Sequence, residues 1–158
     1  MHHVLMDSQS KREGYEKALL KITAMLDGET DTIAQMASVS AILANQFEAF
    51  YWTGFYRMVN GELIVGPYQG TLGCLRISLD RGVCGAAATQ AKTLIVDDVH
   101  DFPGHIACDA RSRSEIVVPV INAAGELIAV LDVDSEQPAA FDTTDQEGLE
   151  GIVKAVFN

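Results

Sequence analysis

The sequence has no long hydrophobic run, little positive charge and no closely spaced pair of cysteines. Its apolar runs, such as Ile116 to Ile121, are far shorter than the roughly 20 residues needed to cross a membrane. No basic-then-apolar leader opens the chain, so we expect a cytoplasmic protein. Eleven basic residues against 22 acidic ones give a net charge of −11, which repels phosphate backbones and anionic membrane surfaces. Nucleic acids and membranes are therefore not expected partners.

The composition that is present fits one globular domain. The chain has 158 residues, of which 48% are apolar and 21% charged, a balance that supports a sizeable core. We expect a flexible N-terminus over residues 1–9 and one domain over residues 10–158. The order of patterns is helices, hairpin, strand, helix, irregular loop, hairpin, helix. This order predicts an α+β domain, with a central antiparallel sheet and helices mainly on one face.

Local signals predict the individual elements. The capping-box spacing at Ser10 predicts a first helix to about Leu26, and a second helix starts near Thr30 or Asp31. Asn60-Gly61 is a hairpin turn, and a short alanine-rich helix covers 82–90. The other predicted elements are strands at 74–79 and 93–96, a hairpin over 114–134, and a last helix from Asp142 or Thr143.

The chain has three cysteines, and an odd number argues against a structural disulfide framework. Cys108 lies in a polar loop with Arg111 and Arg113 nearby, and such cations favour the reactive thiolate. An equally open interpretation of that segment is a loop cysteine that has no function. The choices for the cysteines are inert thiols, a metal site or redox chemistry.

The other two cysteines have simpler alternatives. Cys84 lies at the start of a predicted short helix, where backbone N–H groups are expected to lower its pKa. The alternative is that Cys84 is a small residue that fills a helix–sheet contact. Cys74 falls on a predicted strand, where a cysteine is usually just buried. The cysteines are 10 and 24 residues apart, so no zinc spacing is present. A zinc site made with His105 stays an alternative without a local signature.

Three carboxylates form a second candidate group. Glu115 begins one predicted strand, while Asp132 and Asp134 lie near the end of its hairpin partner. Residues two apart in a strand face the same side, and acids on an apolar strand need partners. A substrate ammonium would serve, and capping of the turn toward Asp142 is the alternative.

Together these segments resemble the free methionine-(R)-sulfoxide reductases, which are enzymes built on a GAF domain. The resemblance covers about residues 15–157 and follows the family's order. The matching segments are Trp52-Thr53-Gly54-Phe55-Tyr56, Gly66-Pro67-Tyr68-Gln69-Gly70, Arg81-Gly82-Val83-Cys84-Gly85, Asp101-Phe102-Pro103-Gly104-His105-Ile106-Ala107-Cys108-Asp109, Ser114-Glu115-Ile116 and Leu131-Asp132-Val133-Asp134-Ser135.

The resemblance implies a reaction and a role for each matching residue. Cys108 matches the catalytic cysteine, whose thiolate attacks the sulfoxide and becomes a sulfenic acid. Cys84 and Cys74 match resolving positions, and the order in which they act stays open. Glu115, Asp132 and Asp134 match residues that hold the ammonium of free methionine and protonate the sulfoxide oxygen. Trp52 and Tyr56 match aromatic residues of the pocket.

The resemblance also implies partners. No metal or cofactor is expected, because the electrons come from thioredoxin or another dithiol through disulfide exchange. A homodimer is one oligomeric state that the sequence leaves open, and residues 97–113 are a candidate lid. The competing function is a non-catalytic GAF sensor that binds a small molecule or registers oxidation.

Overall fold

The computed structural model describes residues 6–105 and 108–158 of the chain. Residues 1–5 of the expected flexible N-terminus, and residues 106 and 107 of the candidate lid, lie outside the described residues. The helices are α1 (Ser8–Met25), α2 (Thr32–Gln46), α3 (Gly82–Gln90) and α4 (Thr143–Phe157). The strands are β1 (Trp52–Val59), β2 (Glu62–Gln69), β3 (Arg76–Ile77), β4 (Leu94–Val96), β5 (Ser114–Ile121) and β6 (Leu127–Ser135).

Aspartates cap the three long helices. Asp31 accepts from the backbone N–H of Ala34 at the start of α2, and Asp142 forms a capping box with Asp145 at α4. The predicted start of α1 is wrong, because Asp7 rather than Ser10 is its cap, with the Asp7 side chain accepting from the Ser10 backbone N–H. The helix therefore begins at Ser8 and includes two residues of the segment expected to be flexible. An aspartate binds the free N–H groups of the first turn as well as serine does.

The strands form one six-stranded sheet in the order β3-β2-β1-β6-β5-β4, and every described pairing is antiparallel. The predicted turn between β1 and β2 is confirmed, since Asn60 and Gly61 both have positive φ, at 50° and 82°. That conformation is the one a tight two-residue hairpin requires. The predicted helix over 82–90 is confirmed as well.

Each face of the sheet has its own core. Helices α1, α2 and α4 cover one face, where Leu43, Phe55 and Leu131 are among the buried residues. The short α3 packs on the other face against β5 and β6, in a smaller cluster with Trp52 and Tyr56. The expected antiparallel sheet, with helices mainly on one face, is confirmed. Of the described α-helices, α3 alone packs on this second face, which leaves room for a pocket.

The predicted strand over 74–79 is mostly wrong. Only Arg76 and Ile77 pair with β2, and Cys74 lies in an irregular segment before them. Leu72 and Leu75 of that segment are exposed, so apolar residues there do not mark a buried strand. In the described part of the chain, no helix has both the length and the apolar character of a membrane span.

Candidate functional site

The strand register gathers the predicted acids and aromatics on the face that carries α3. Asp134 of β6 lies opposite Glu115 of β5 on one side and opposite Trp52 of β1 on the other. Asp132 lies opposite Gly54. Directly paired residues of antiparallel strands point to the same face, so the three acids and Trp52 share one surface. The same-side placement of Asp132 and Asp134, predicted from their spacing of two, is confirmed, and the strand register adds Glu115 and Trp52 to that face.

These residues line a pocket between the sheet, α3 and two loops. Its free volume is about 560 Å³ including the open mouth. Seven of the eight predicted site residues line it: Trp52, Tyr56, Cys84, Cys108, Glu115, Asp132 and Asp134. The eighth, Cys74, is bonded to Cys108 at the pocket's edge. No lysine or arginine is among the described residues that line the pocket.

The three carboxyls have unusual protonation chemistry. Glu115 and Asp132 are only 7% and 4% exposed, and Asp134 is half-buried. Burial raises the pKa of all three groups, and the neighbouring carboxyl charges raise them further. In addition, Oδ1 of Asp132 has no hydrogen-bond partner among the described residues. The pocket can therefore both donate a proton and accept a cationic group.

The environment of Cys84 differs from the predicted one. Cys84 is the third residue of α3 and is buried at 4% exposure, with Sγ 3.9 Å from Oε2 of Glu115. Burial raises the pKa of the Cys84 thiol well above its ordinary value, and the charges of Asp132 and Glu115 add to the effect. The predicted lowering of its pKa by the helix start is thus wrong, because burial beside acids outweighs the backbone N–H groups.

Cys74 and Cys108 form a disulfide, and Cys84 is the free cysteine. The Cα atoms of the bonded pair are 5.4 Å apart, within the usual range for a disulfide. Cys108 is exposed and Cys74 half-buried, so the bond is accessible to an external thiol. The pairing also rules out, for this state, a zinc site formed by the three cysteines and His105.

The two arginines near Cys108 have carboxylate partners of their own. Arg111 Nε lies 3.5 Å from Asp109 Oδ1, and its guanidinium sits over the Tyr51 ring, 5.1 Å from the ring centroid. Arg113 pairs with Asp98 at 3.7 Å. These partners engage both arginines in this oxidised state, so the stabilisation of the Cys108 thiolate by them stays a prediction.

Asp109 fixes the loop that carries Cys108. Its Oδ2 accepts from Tyr51 Oη at 2.7 Å and from Thr71 Oγ1 at 2.6 Å, and its Oδ1 accepts from the backbone N–H of Arg111 at 2.9 Å. The hydrogen bond from Thr71 is the largest cause of the lowered pKa of Asp109. Since Thr71 is three residues before Cys74, this carboxylate holds the two cysteine segments together.

An aromatic stack forms one wall of the pocket. Trp52 stacks on Tyr56 and Tyr68, with ring centroids 5.5 and 4.9 Å apart, and its Nε1–H donates to the Thr71 carbonyl at 2.9 Å. A Cβ at Gly73 would come within 2.9 Å of the Trp52 ring. Close packing on all these sides holds the indole in place, so it presents a fixed apolar surface to the pocket.

The sequence predicts no role for Asp109, and for His105 it favours loop hydrogen bonding, with the zinc site as the alternative. His105 lines the pocket, and burial lowers its pKa. Asp109 directly follows Cys108 in the sequence, and that adjacency was the available signal. Its partners Tyr51 and Thr71 lie 58 and 38 residues away, so no local pattern shows the contacts.

Two kinds of chemistry are available at this site. The Cys74–Cys108 pair can cycle between dithiol and disulfide, beside acids that can donate a proton. Cys84, Glu115 and Asp132 also place three potential metal-ligand atoms within 4.8 Å of one another.

Comparison with known proteins identifies a domain family, relatives and a solved structure that are similar to this chain. The GAF domain family model matches residues 30–156. GAF domain-containing protein A of Dictyostelium discoideum is 49% identical over 94% of each chain. Free methionine-R-sulfoxide reductase of Escherichia coli is 40% identical over 91% of this chain and 87% of the relative. The structure of free methionine-R-sulfoxide reductase from Neisseria meningitidis in complex with its substrate has a TM-score of 0.88 and 41% identity, covering 99% of this chain and 92% of that one.

Proposed function

The chain belongs to the GAF-domain family of free methionine-(R)-sulfoxide reductases, and we propose that it is a thiol reductase that converts free L-methionine-(R)-sulfoxide to methionine. One observation carries the proposal. An accessible disulfide, Cys74–Cys108, borders a pocket that contains three clustered carboxyl groups and no described lysine or arginine. A small substrate that carries an ammonium group and oxidises thiols fits such a pocket.

Substrate binding uses charge and shape. The α-ammonium group binds the acids, and the unpartnered Oδ1 of Asp132 accepts one of its hydrogen bonds. The substrate methyl packs on the fixed indole of Trp52. A peptide-linked methionine lacks the ammonium group, so burying the three acids beside it would leave them uncompensated. This requirement selects the free amino acid.

The reaction transfers one oxygen and two electrons. The Cys108 thiolate attacks the sulfoxide sulfur while a protonated carboxyl, assigned to Glu115, donates a proton to the oxygen. The oxygen ends on Cys108 as a sulfenic acid and methionine leaves as the thioether, so the thiol is oxidised and the substrate reduced by two electrons. The raised pKa of Glu115 keeps it available as an acid.

Cys74 resolves the sulfenic acid. Its thiol attacks the Cys108 sulfur, water leaves, and the Cys74–Cys108 disulfide forms. The bond between these two cysteines in the structure supports Cys74 over Cys84 for this step. A dithiol protein of the thioredoxin type then reduces the bond by exchange, and no metal or cofactor enters the cycle.

The remaining assignments belong to the same proposal. Residues 10–158 form one domain, with α1 extending it slightly toward the N-terminus, and the protein acts in the cytoplasm. A homodimer is compatible with the site, because all the proposed catalytic groups come from one chain.

The test is consumption of free methionine sulfoxide by the purified protein. The R epimer, the S epimer and N-acetylmethionine sulfoxide are supplied separately, first with dithiothreitol and then with thioredoxin and its reductase. We expect turnover of the free R epimer only. No turnover of any of the three by folded, reduced protein would disprove the proposal and favour a ligand-binding sensor.

Two matched cysteine variants locate the chemistry. Cys108→Ser is expected to abolish turnover, whereas Cys84→Ser is expected to keep disulfide formation between Cys74 and Cys108. Mass spectrometry of alkylated protein after one turnover identifies the bonded pair. Full activity in Cys108→Ser, with its circular dichroism spectrum unchanged, would show that Cys108 is not the nucleophile.

A further inference from the structure

A second cluster lies at the base of the pocket and is distinct from the disulfide. It consists of Cys84 on α3, Glu115 on β5 and Asp132 on β6, whose sulfur and carboxyl oxygen atoms lie within 4.8 Å of one another. All three side chains are buried. Cys84 has a free thiol, and the proposed reaction cycle is complete without it.

Among the described residues that line the pocket, none gives the cluster a positively charged partner. Oδ1 of Asp132 is buried and accepts no hydrogen bond from the described residues, although the residue is only 4% exposed. No described lysine or arginine lines the pocket. A buried carboxyl oxygen without a donor is costly, so a cation in contact with Asp132 would remove this cost.

We propose that Cys84, Glu115 and Asp132 form a binding site for one divalent cation of the zinc class. The cation is held by Sγ of Cys84 and one oxygen from each carboxylate. Three sulfur and oxygen ligands with a fourth position facing the pocket are a set that Zn²⁺ accepts. The thiolate ligand selects against Mg²⁺ and Ca²⁺, which prefer oxygen alone.

Binding has two chemical consequences. The Cys84 thiol releases its proton to solvent as the sulfur–metal bond forms. The cation also occupies the carboxylates that hold the substrate ammonium group, and this consequence rests on the proposed function. Zinc and substrate then exclude each other, so zinc acts as a reversible inhibitor competitive with methionine sulfoxide.

The test uses the full chain oxidised at Cys74–Cys108, in which Cys84 is the only thiol. Titration with Co²⁺ should produce a near-ultraviolet thiolate-to-cobalt absorption that saturates at one equivalent and disappears when one equivalent of Zn²⁺ is added. Cys84→Ser should lose the band. Asp132→Asn should keep the band but bind at least about 10-fold more weakly, because even the loss of an outer partner of a ligand costs about 10- to 100-fold.

A matched control separates this site from the other cysteines. The double variant Cys74→Ser/Cys108→Ser keeps Cys84 and should bind one equivalent of Co²⁺ with the same absorption. Circular dichroism spectra show whether each variant is folded. Absence of the thiolate band in folded wild-type protein would overturn the proposal. Equal Zn²⁺ affinity in wild type, Cys84→Ser and Asp132→Asn would do so as well.

The metal measurement does not depend on turnover. A protein that binds zinc at Cys84 without reducing any sulfoxide would disprove the proposed function and leave the metal site standing. A protein that reduces sulfoxide but shows no thiolate–cobalt band would do the reverse. Competition is measured with thioredoxin as reductant, since small dithiols chelate zinc, and noncompetitive inhibition would overturn the shared-site consequence.

Discussion

Reduction of the Cys74–Cys108 disulfide is expected to lower the thermal stability of the protein substantially. The two cysteines are 34 residues apart, and closing a loop of that length in the unfolded chain corresponds to about 4 kcal/mol of stabilisation. In a chain of 158 residues, each kcal/mol shifts the unfolding temperature by about 2–4 °C. We therefore expect the reduced protein to unfold about 8–16 °C below the oxidised one.

Scanning calorimetry with and without a phosphine reductant measures this difference. Cys74→Ser cannot form the bond and should unfold at the temperature of reduced wild type, whether or not reductant is present. Cys84→Ser keeps the bond and should lose stability on reduction as wild type does. Equal unfolding temperatures of oxidised wild type and Cys74→Ser would refute a stabilising effect of the disulfide.

Three further predictions concern charged side chains. Because the pKa of Asp132 is raised in the folded state, its contribution to stability is full below about pH 4 and is lost as pH rises through the folded value. Asp132→Asn should therefore stabilise the protein at pH 7 by about 0.5–2 kcal/mol and flatten the pH dependence of urea unfolding; a destabilised variant would contradict this. Asp109→Asn should shift the disulfide equilibrium in glutathione buffer about 10-fold toward the dithiol, equivalent to losing one charge-assisted hydrogen bond, and an unchanged equilibrium would show that Asp109 does not hold the cysteines together. Lys11→Met breaks a buried ion pair with Asp145, 2.6 Å long, and should cost about 3–5 kcal/mol in urea unfolding while leaving kcat unchanged; a loss below about 1 kcal/mol would indicate a pair that behaves as if solvent-exposed.

Local patterns predicted much of the fold because the relevant physics is local. Asn60-Gly61 has the residue types that tolerate positive φ, so the turn and both its strands follow from the sequence. Asp142 supplies an N-cap before an amphipathic run, and α4 begins directly after it. The segment at Cys74 was assigned wrongly, because apolar residues at 75 and 77 resemble a strand although Leu75 is exposed.

For the candidate site too, some features follow from local sequence and others only from the tertiary structure. The sequence by itself determined that Asp132 and Asp134 share one face, since they are two residues apart in a strand, and the motifs around Cys84 and Cys108 carry the family resemblance. Only the tertiary structure decided that Cys108 bonds to Cys74, that Cys84 is buried beside Glu115, and that Arg111 binds Asp109. These outcomes depend on distances between distant segments and on the loss of water around each group. No local sequence pattern contains either quantity.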